Sequence, residues 1–255
     1  LGTFKSEPGG VTEQAVAWAL EIGYRHVDTA AFYGNEADVG RAVRASGLPR
    51  TQVFVTTKVW NADQGYEPTL RAFEESSRRL GLGVVDLFLI HWPVKGKFSD
   101  TWRALERLYA DGRVRAIGVS NFKVHHLEEL ANTSSVVPAV NQVEFHPFLL
   151  QPDLLAFDLA KGIRHEAWSP LTRGRSLENP LIVRIARAHG RTPAQVLLRW
   201  DLQHGVVTIP KSVHRERIAE NAALFDFELT PAEVAAIDGL DTGTRIGPDP
   251  DRITF

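Results

Sequence analysis

The chain has 255 residues, of which 44% are hydrophobic, so it is long enough to bury one large core. Its 29 basic and 31 acidic residues are mixed along the chain and leave a formal net charge of −2, which argues against nucleic acid and anionic membrane as partners. No apolar run approaches the roughly 18 residues that span a bilayer, and no secretory signal stands at the N-terminus, so we expect a cytoplasmic protein. The absence of cysteine excludes disulfides and thiolate catalysis.

Methionine is also absent, and the chain opens abruptly on Leu1. Either N-terminal residues are missing or modified methionines have been dropped from the sequence, and both explanations stay open. No linker or shift in composition divides residues 1–255, which we therefore predict to be a single domain, close to the roughly 250 residues of one α/β barrel.

Short apolar or β-branched runs alternate with longer amphipathic runs, the pattern of βα units that build a parallel sheet. Eight strands are predicted, at residues 1–4, 26–29, 53–59, 85–91, 116–120, 139–145, 164–168 and 206–210. A doubly wound sheet is the rival topology, but it usually carries G-x-G-x-x-G after its first strand, and no such motif is present. The predicted fold is therefore an α/β (β/α)8 barrel with a short C-terminal tail.

Helical periodicity is seen at residues 13–22, 70–80 and 194–203, among others. Thr192 and Thr230 are each followed by proline and then by Gln195 or Glu233 at the third helical position, which predicts two capping boxes. After residue 241 the tail contains Gly-Pro-Asp-Pro and is not expected to be helical, which predicts a shallow, permissive pocket.

Three ionisable residues, Asp28, Lys58 and His91, close successive predicted strands, and Tyr33 follows in the loop after the first of them. The carboxyl ends of barrel strands share one rim, so we expect these side chains to meet there. A lysine ammonium lowers the pKa of a nearby phenol by about 1 to 3 units, and an aspartate keeps a buried lysine charged. The set is typical of a general acid, Tyr33, with its tuning groups, and it lacks the nucleophile of covalent catalysis.

Residues 25–36 (RHVDTAAFYGNE), 57–60 (TKVW) and 89–93 (LIHWP) resemble the signature of the aldo-keto reductases. Further motifs follow in the family's order at residues 117–122 (IGVSNF), 141–144 (NQVE), 167–171 (AWSPL) and 209–212 (IPKS). The resemblance covers residues 1–241 and is closest to the bacterial 2,5-diketo-gluconate reductases. It implies that Asp28, Tyr33, Lys58 and His91 form a catalytic tetrad and that the cofactor is NADPH.

The same resemblance implies how the cofactor is held. The nicotinamide carboxamide would bind Ser120, Asn121 and Gln142, and its ring would stack on Trp168, where many relatives have tyrosine. The 2′-phosphate would bind Lys211, Ser212 and Arg217, and adenine would contact Glu220 and Asn221. The remaining predicted cofactor contacts are Thr3, Phe4, Ser169, Leu171 and Val213. Predicted substrate contacts are Phe4, Phe32, Trp60, His91 and Trp92.

Other readings of these residues are less favourable. Asp28 and Lys58 by themselves are compatible with a structural ion pair, and Ser120 and Asn121 with a helix cap. His125 and His126, with Glu128 nearby, lack H-E-x-x-H spacing and a third ligand, so no metal site is predicted and they are interpreted as surface histidines. Lys95 and Lys97 would either attract an acidic substrate or simply be solvated.

The leading hypothesis is an NADPH-dependent reductase of aldehydes or ketones that acts as a monomer on a small carbonyl substrate. The superfamily also contains NADPH-binding subunits of ion channels, so a sensor without turnover is the alternative from another class. A purely structural barrel is a third. Steady NADPH consumption with a carbonyl substrate separates the first from the others, and the physiological substrate is not readable from the sequence.

Overall fold

The computed structural model describes residues 1–253, in which a curled parallel sheet is surrounded by helices. The strands follow chain order: β1 (His26–Asp28), β2 (Phe54–Val59), β3 (Val85–Ile90), β4 (Val114–Ser120), β5 (Val140–Glu144), β6 (Arg164–Trp168) and β7 (Val207–Thr208). The helices are α1 (Gly10–Ile22), α2 (Glu36–Ala45), α3 (Tyr66–Leu80), α4 (Phe98–Ala110), α5 (Val124–Ala131), α6 (Pro152–Ala160), α7 (Pro180–His189), α8 (Pro193–Gln203), α9 (Arg215–Ala222) and α10 (Pro231–Asp238). The predicted α/β barrel class is confirmed.

The barrel closes through the N-terminal segment, where a full strand was predicted at residues 1–4. The backbone N–H of Gly2 donates to the carbonyl of Pro210 at 3.0 Å, just beyond β7, and the N–H of Thr3 donates to the carbonyl of Asp28 at 3.0 Å, on β1. This segment makes a single parallel bridge with Asp28, so the prediction of a regular strand was wrong in extent. A Cβ on Gly2 would lie 2.7 Å from the carbonyl oxygen of Ile209, and this close backbone approach requires glycine.

Side-chain alternation along each strand separates two environments. Outward residues such as Val55, Phe88 and Val119 are fully buried against the helices and form the main hydrophobic core. Inward residues near the carboxyl ends of the strands include Asp28 and Lys58, which are buried in the barrel interior. The fold therefore places its apolar core outside the sheet and a polar cluster inside it.

The two helix starts predicted from capping boxes are confirmed. The Thr192 hydroxyl accepts from the backbone N–H of Gln195, whose side-chain oxygen accepts from the N–H of Thr192. Thr230 and Glu233 make the same reciprocal pair at the start of α10. Such caps satisfy backbone donors that a helix leaves free. None of the helices in residues 1–253 combines the length and apolar character that crossing a membrane requires.

Candidate active site

A buried ion pair lies at the carboxyl end of the first two strands. The Lys58 ammonium donates to both carboxylate oxygens of Asp28, each at 2.8 Å, and to the carbonyl oxygen of Thr29 at 2.9 Å. Burial is the largest single effect and lowers the pKa of Lys58, but the charge and hydrogen bonding of Asp28, together with smaller contributions from Tyr33 and Glu166, raise this pKa above its ordinary value. The lysine is therefore a fixed cation in the barrel interior.

The Tyr33 hydroxyl lies 3.4 Å from the Lys58 nitrogen and faces a cavity on the same rim. A short 3-10 turn at Ala31–Tyr33, which begins three residues after the end of β1, places Tyr33 on the cavity wall. Burial raises the pKa of Tyr33 to about 12, and the opposing effect of Lys58 is smaller. The predicted net lowering of this pKa was wrong, because the sequence shows the neighbouring charge but not the loss of solvent. A tyrosine with this pKa keeps its proton at neutral pH, as a general acid must.

His91 follows β3 directly, and its ring packs edge-on against three aromatic rings of the cavity, the most distant of which is Phe32. The ring centroids lie 5.6 Å from Tyr33 and 5.1 Å from Trp60. Burial, with a smaller contribution from the Lys58 charge, holds the pKa of His91 well below its usual value. His91 is therefore neutral at physiological pH and offers a hydrogen bond rather than a charge to a ligand.

A cavity of about 820 Å³ opens at this rim. Its walls are mainly aromatic and apolar, and Phe32 and Trp60 stack at 3.8 Å on one side. Large apolar cavities with a few convergent polar groups are the usual form of a small-molecule site. The predicted site residues that line it are Phe4, Asp28, Phe32, Tyr33, Trp60, His91, Trp92, Ser120, Asn121, Gln142, Trp168, Ser169, Leu171 and Lys211. Lining residues not predicted from the sequence are Gly2, Lys5, Pro170, Arg173, Ile209, Pro210 and Pro248.

Ser120 and Gln142 are register partners on β4 and β5, which explains why two residues distant in sequence face the same cavity. The Ser120 hydroxyl donates to the carbonyl of Gln142 at 2.7 Å. Asn121 has a left-handed backbone with φ 65°, which asparagine tolerates better than most residues. The two side-chain amides thus lie beside the tetrad in fixed positions.

Trp168, at the end of β6, donates its indole N–H to the side-chain oxygen of Asn121 at 2.8 Å. The amide nitrogen of Asn121 donates in turn to the carbonyl of His91 at 2.9 Å. A tyrosine ring has no N–H at the equivalent position, so the tryptophan adds a contact that stacking alone does not require. These two hydrogen bonds connect Trp168, on the cavity wall, to His91 through the side chain of Asn121.

The predicted phosphate-binding residues lie in the segment that follows β7 and in α9. Lys211 and Arg217 are exposed, and neither forms an ion pair with any of residues 1–253. Glu220, by contrast, already accepts from the Thr192 hydroxyl at 2.7 Å, and Asn221 is largely buried. The structure therefore leaves two cations available to an anionic ligand near the start of α9.

Some predicted contacts lie outside the cavity wall. Thr3 is buried, and its hydroxyl donates to the carbonyl of Asp28 at 2.9 Å, whereas its neighbour Gly2 lines the cavity. The Ser212 side chain is hydrogen-bonded to the backbone of His214, and Val213 packs against the hydrophobic core. The loop lysines Lys95 and Lys97 are exposed and do not line the cavity.

The C-terminal tail returns to the cavity. The buried Glu144 carboxylate accepts from the backbone N–H of Ile246 at 2.5 Å and from that of Gly247 at 3.2 Å. A Cβ on Gly247 would lie 2.4 Å from the Trp168 ring, and Pro248 lines the cavity itself. Up to residue 253 the tail has no α-helix, in agreement with the expectation, and it contains a short 3-10 turn at Pro250–Arg252. It forms part of the wall rather than leaving that side open.

His125, His126 and Asp251 place potential ligand atoms within 4.8 Å of one another. The Nδ1 atom of His126 accepts from the backbone N–H of Lys123 at 3.1 Å, so in the neutral ring the proton lies on Nε2, which faces Asp251. The Lys123 ammonium already pairs with Asp251 at 2.6 Å. A metal ion at this place would displace the Nε2 proton of His126 and the Lys123 ammonium from Asp251. The cluster is therefore better explained as hydrogen bonding between the tail and α5. His126 is buried, which corrects its interpretation as a surface residue.

Comparisons with known proteins identify the family of this chain. A sequence profile of the aldo/keto reductase family matches residues 11–242, so the chain belongs to this family of oxidoreductases. It is 55% identical to glyoxal reductase of Bacillus subtilis over 255 residues, which is 100% of this chain and 92% of that protein. It is 53% identical to morphine 6-dehydrogenase of Pseudomonas putida over 265 residues, covering 98% of this chain and 89% of that protein.

A solved structure has the same fold as this chain. A variant of Gox0644 crystallised in complex with NADPH superposes with a TM-score of 0.95 at 45% identity, covering 100% of this chain and 93% of that chain. The closer resemblance to 2,5-diketo-gluconate reductases stays a prediction.

Proposed function

We propose that this protein is an NADPH-dependent reductase that converts aldehydes or ketones into alcohols. The observation that carries the proposal is the position of the Tyr33 hydroxyl, 3.4 Å from a buried ammonium and on the wall of a large aromatic cavity. Such an arrangement supplies a proton donor whose conjugate base is stabilised by Lys58.

The residues that line the cavity fit NADPH as the bound cofactor. The Trp168 ring is a partly exposed aromatic face beside two amide side chains, those of Asn121 and Gln142. Lys211 and Arg217 are free to bind a phosphate, as described above. The complex of Gox0644 with NADPH supports the same cofactor for this chain. When bound, reduced nicotinamide supplies the hydride.

Residues of the chain then orient the substrate, supply the proton and stabilise the resulting charge. Neutral His91 donates a hydrogen bond to the carbonyl oxygen and orients it. Tyr33 transfers its proton to that oxygen as the carbonyl carbon is reduced, and the resulting tyrosinate is held by the Lys58 cation. Asp28 keeps Lys58 charged and in place, through two hydrogen bonds of 2.8 Å. A carbonyl group becomes an alcohol, and no covalent intermediate with the protein is needed.

The test is a panel of carbonyl compounds with NADPH, followed by absorbance at the reduced nicotinamide band. The name of the Bacillus relative makes glyoxal the first substrate to assay, and the panel also includes methylglyoxal and, as an aromatic aldehyde, a nitrobenzaldehyde. Steady consumption of NADPH is the expected result. Tight NADPH binding without turnover across the panel would instead favour the sensor hypothesis, and neither binding nor turnover would favour a structural barrel.

The two free cations lead to a prediction on cofactor choice. A charged hydrogen bond is worth about 1.5 to 3 kcal/mol, so Lys211 and Arg217 together should favour NADPH over NADH by at least ~10² in kcat/KM. The double variant Lys211→Met with Arg217→Met should lose most of this preference through a higher KM for NADPH, with the KM for NADH little changed. Steady-state kinetics with both cofactors measures the ratio, and a wild-type ratio near one contradicts the assignment.

A further inference from the structure

The buried carboxyl of Glu166 lies next to the tetrad and has no part in the chemistry proposed above. It stands on β6 in register with Gln142 on β5, which is itself in register with Ser120 on β4. Its side chain points into the barrel, where it is 2% exposed. Three adjacent strands therefore place Ser120, Gln142 and Glu166 in one row across the barrel interior.

Gln142 connects Glu166 to the catalytic ion pair. Its amide nitrogen donates to the Glu166 carboxylate at 2.5 Å and to the Asp28 carboxylate at 2.8 Å. A primary amide has two N–H donors, and both are used by these bonds. The amide oxygen is consequently the polar atom of Gln142 that remains to face the cavity. A flipped amide would direct that oxygen at two carboxylates, which repel it.

Glu166 is not held there by a partner cation. Within residues 1–253 no lysine or arginine forms an ion pair with it, and His26 approaches only to 4.0 Å. Burial lowers the pKa of His26 to about 3, so that ring is neutral. Burial, followed by the neighbouring Asp28 charge, raises the pKa of Glu166 to about 7. A carboxyl in such a place is unfavourable for stability, and its one close bond is to Gln142.

We propose that Glu166 is a positioning residue that, with Asp28, fixes the Gln142 amide so that its oxygen accepts a hydrogen bond from the NH2 group of the nicotinamide carboxamide. The inference rests on the proposed function and extends it to a residue outside the predicted site. It identifies the ligand group by its chemistry, because an acceptor at this position selects a primary amide over a group without N–H. Either protonation state of Glu166 keeps a lone pair for Gln142, so the bond persists through neutral pH.

The experiment compares binding of NADPH with binding of its 3-acetylpyridine analogue, in which a methyl group replaces the carboxamide NH2. Both Kd values are measured by quenching of tryptophan fluorescence, without turnover. The wild-type protein is expected to bind NADPH more tightly. In Glu166→Ala the Kd for NADPH should rise by up to about tenfold, the upper value for one neutral hydrogen bond, while the Kd for the analogue changes less than about twofold.

Glu166→Gln is the conservative variant, because its side-chain oxygen can still accept a hydrogen bond from Gln142. It should restore most of the preference for NADPH. Asp158→Ala is the matched control, since Asp158 is also a buried carboxyl and accepts from Asn141, the residue before Gln142, at 3.2 Å on the outer face of β5. That variant should lose stability and keep both Kd values.

Glu166→Leu retains most of the side-chain volume without an acceptor, and it replaces Glu166→Ala if the latter does not fold. Equal changes in both Kd values, or no change in either, would overturn the role of Glu166. So would a wild-type protein that binds NADPH without preferring it to the analogue. Failure of the wild-type protein to bind NADPH at all would remove the proposed function together with this inference, so the two failures are distinguishable.

Discussion

Replacement of Tyr33 by phenylalanine is expected to lower kcat for carbonyl reduction by about 10² or more, with the Kd for NADPH unchanged. The variant loses the hydroxyl that faces both the cavity and Lys58, whereas its ring keeps the contacts with Phe4 at 5.0 Å and His91 at 5.6 Å. The fold and the cofactor pocket should therefore be preserved. Single-turnover and steady-state kinetics at saturating aldehyde, together with a fluorescence titration of NADPH, measure the two effects.

Tyr24→Phe is the matched control for this prediction. Burial raises the pKa of Tyr24 to about 12 as well, but its hydroxyl donates to the backbone carbonyl of Ile218 at 3.2 Å and does not line the cavity. Its kcat should equal that of the wild-type protein. Retention of full activity in Tyr33→Phe would contradict the assignment of Tyr33 as the proton donor.

Replacement of Lys58 by methionine should affect both activity and stability. Methionine fills a similar volume but leaves the Asp28 carboxylate buried without its ammonium, and breaking a buried pair in this way costs about 3 to 5 kcal/mol. We expect a decrease of that size in the free energy of unfolding, measured by denaturant titration. The kcat should fall by about 10² or more, because the Tyr33 anion loses the cation that stabilises it.

The double variant Lys58→Met with Asp28→Asn separates these effects. Removing the uncompensated carboxylate should restore much of the stability, whereas activity should remain low. The pKa of Lys58 is raised in the folded protein, so its stabilising contribution is fully present below its ordinary pKa and is lost only as pH rises through the higher folded value. The stability difference between the wild-type protein and Lys58→Met should hold at neutral pH and shrink only under strongly alkaline conditions. A difference that vanished at neutral pH would show that Lys58 is not the partner on which Asp28 depends.

Local features of the fold were readable from the sequence because few residues decide them. The capping box at Thr192 depends on Pro193 and Gln195 alone, and the structure contains it as predicted. The N-terminal segment at residues 1–4 was harder, since its apolar character fits a strand, but its pairing depends on how closely it approaches Asp28 and Pro210. The register of the strands across the barrel sets how closely residues 1–4 approach Asp28 and Pro210, and no local sequence pattern encodes this register.

Within the candidate site, the sequence pointed to Tyr33, Lys58, Asp28 and His91 because each closes a strand or follows one, inside a family motif. It did not point to Glu166, which lies within β6 two residues before the motif residue Trp168 and resembles any polar residue of a strand. Its role becomes visible only when β5 and β6 are in register. The contact of Gly247 with Trp168 was missed for the same reason, since about eighty residues separate the two in the chain.

The sequence alone determined the order of strands and helices and the types of side chain carried to one rim, because periodicity, caps and motifs act over a few residues. The tertiary structure decided the quantities that depend on environment. Burial turned the expected lowering of the Tyr33 pKa into a rise to about 12, and strand register set which atom of Gln142 faces the cavity. Solvent exclusion and hydrogen-bond direction are properties of the assembled barrel. Residues that are distant in the chain bury one another there, and two of them accept hydrogen bonds from the same amide group of Gln142.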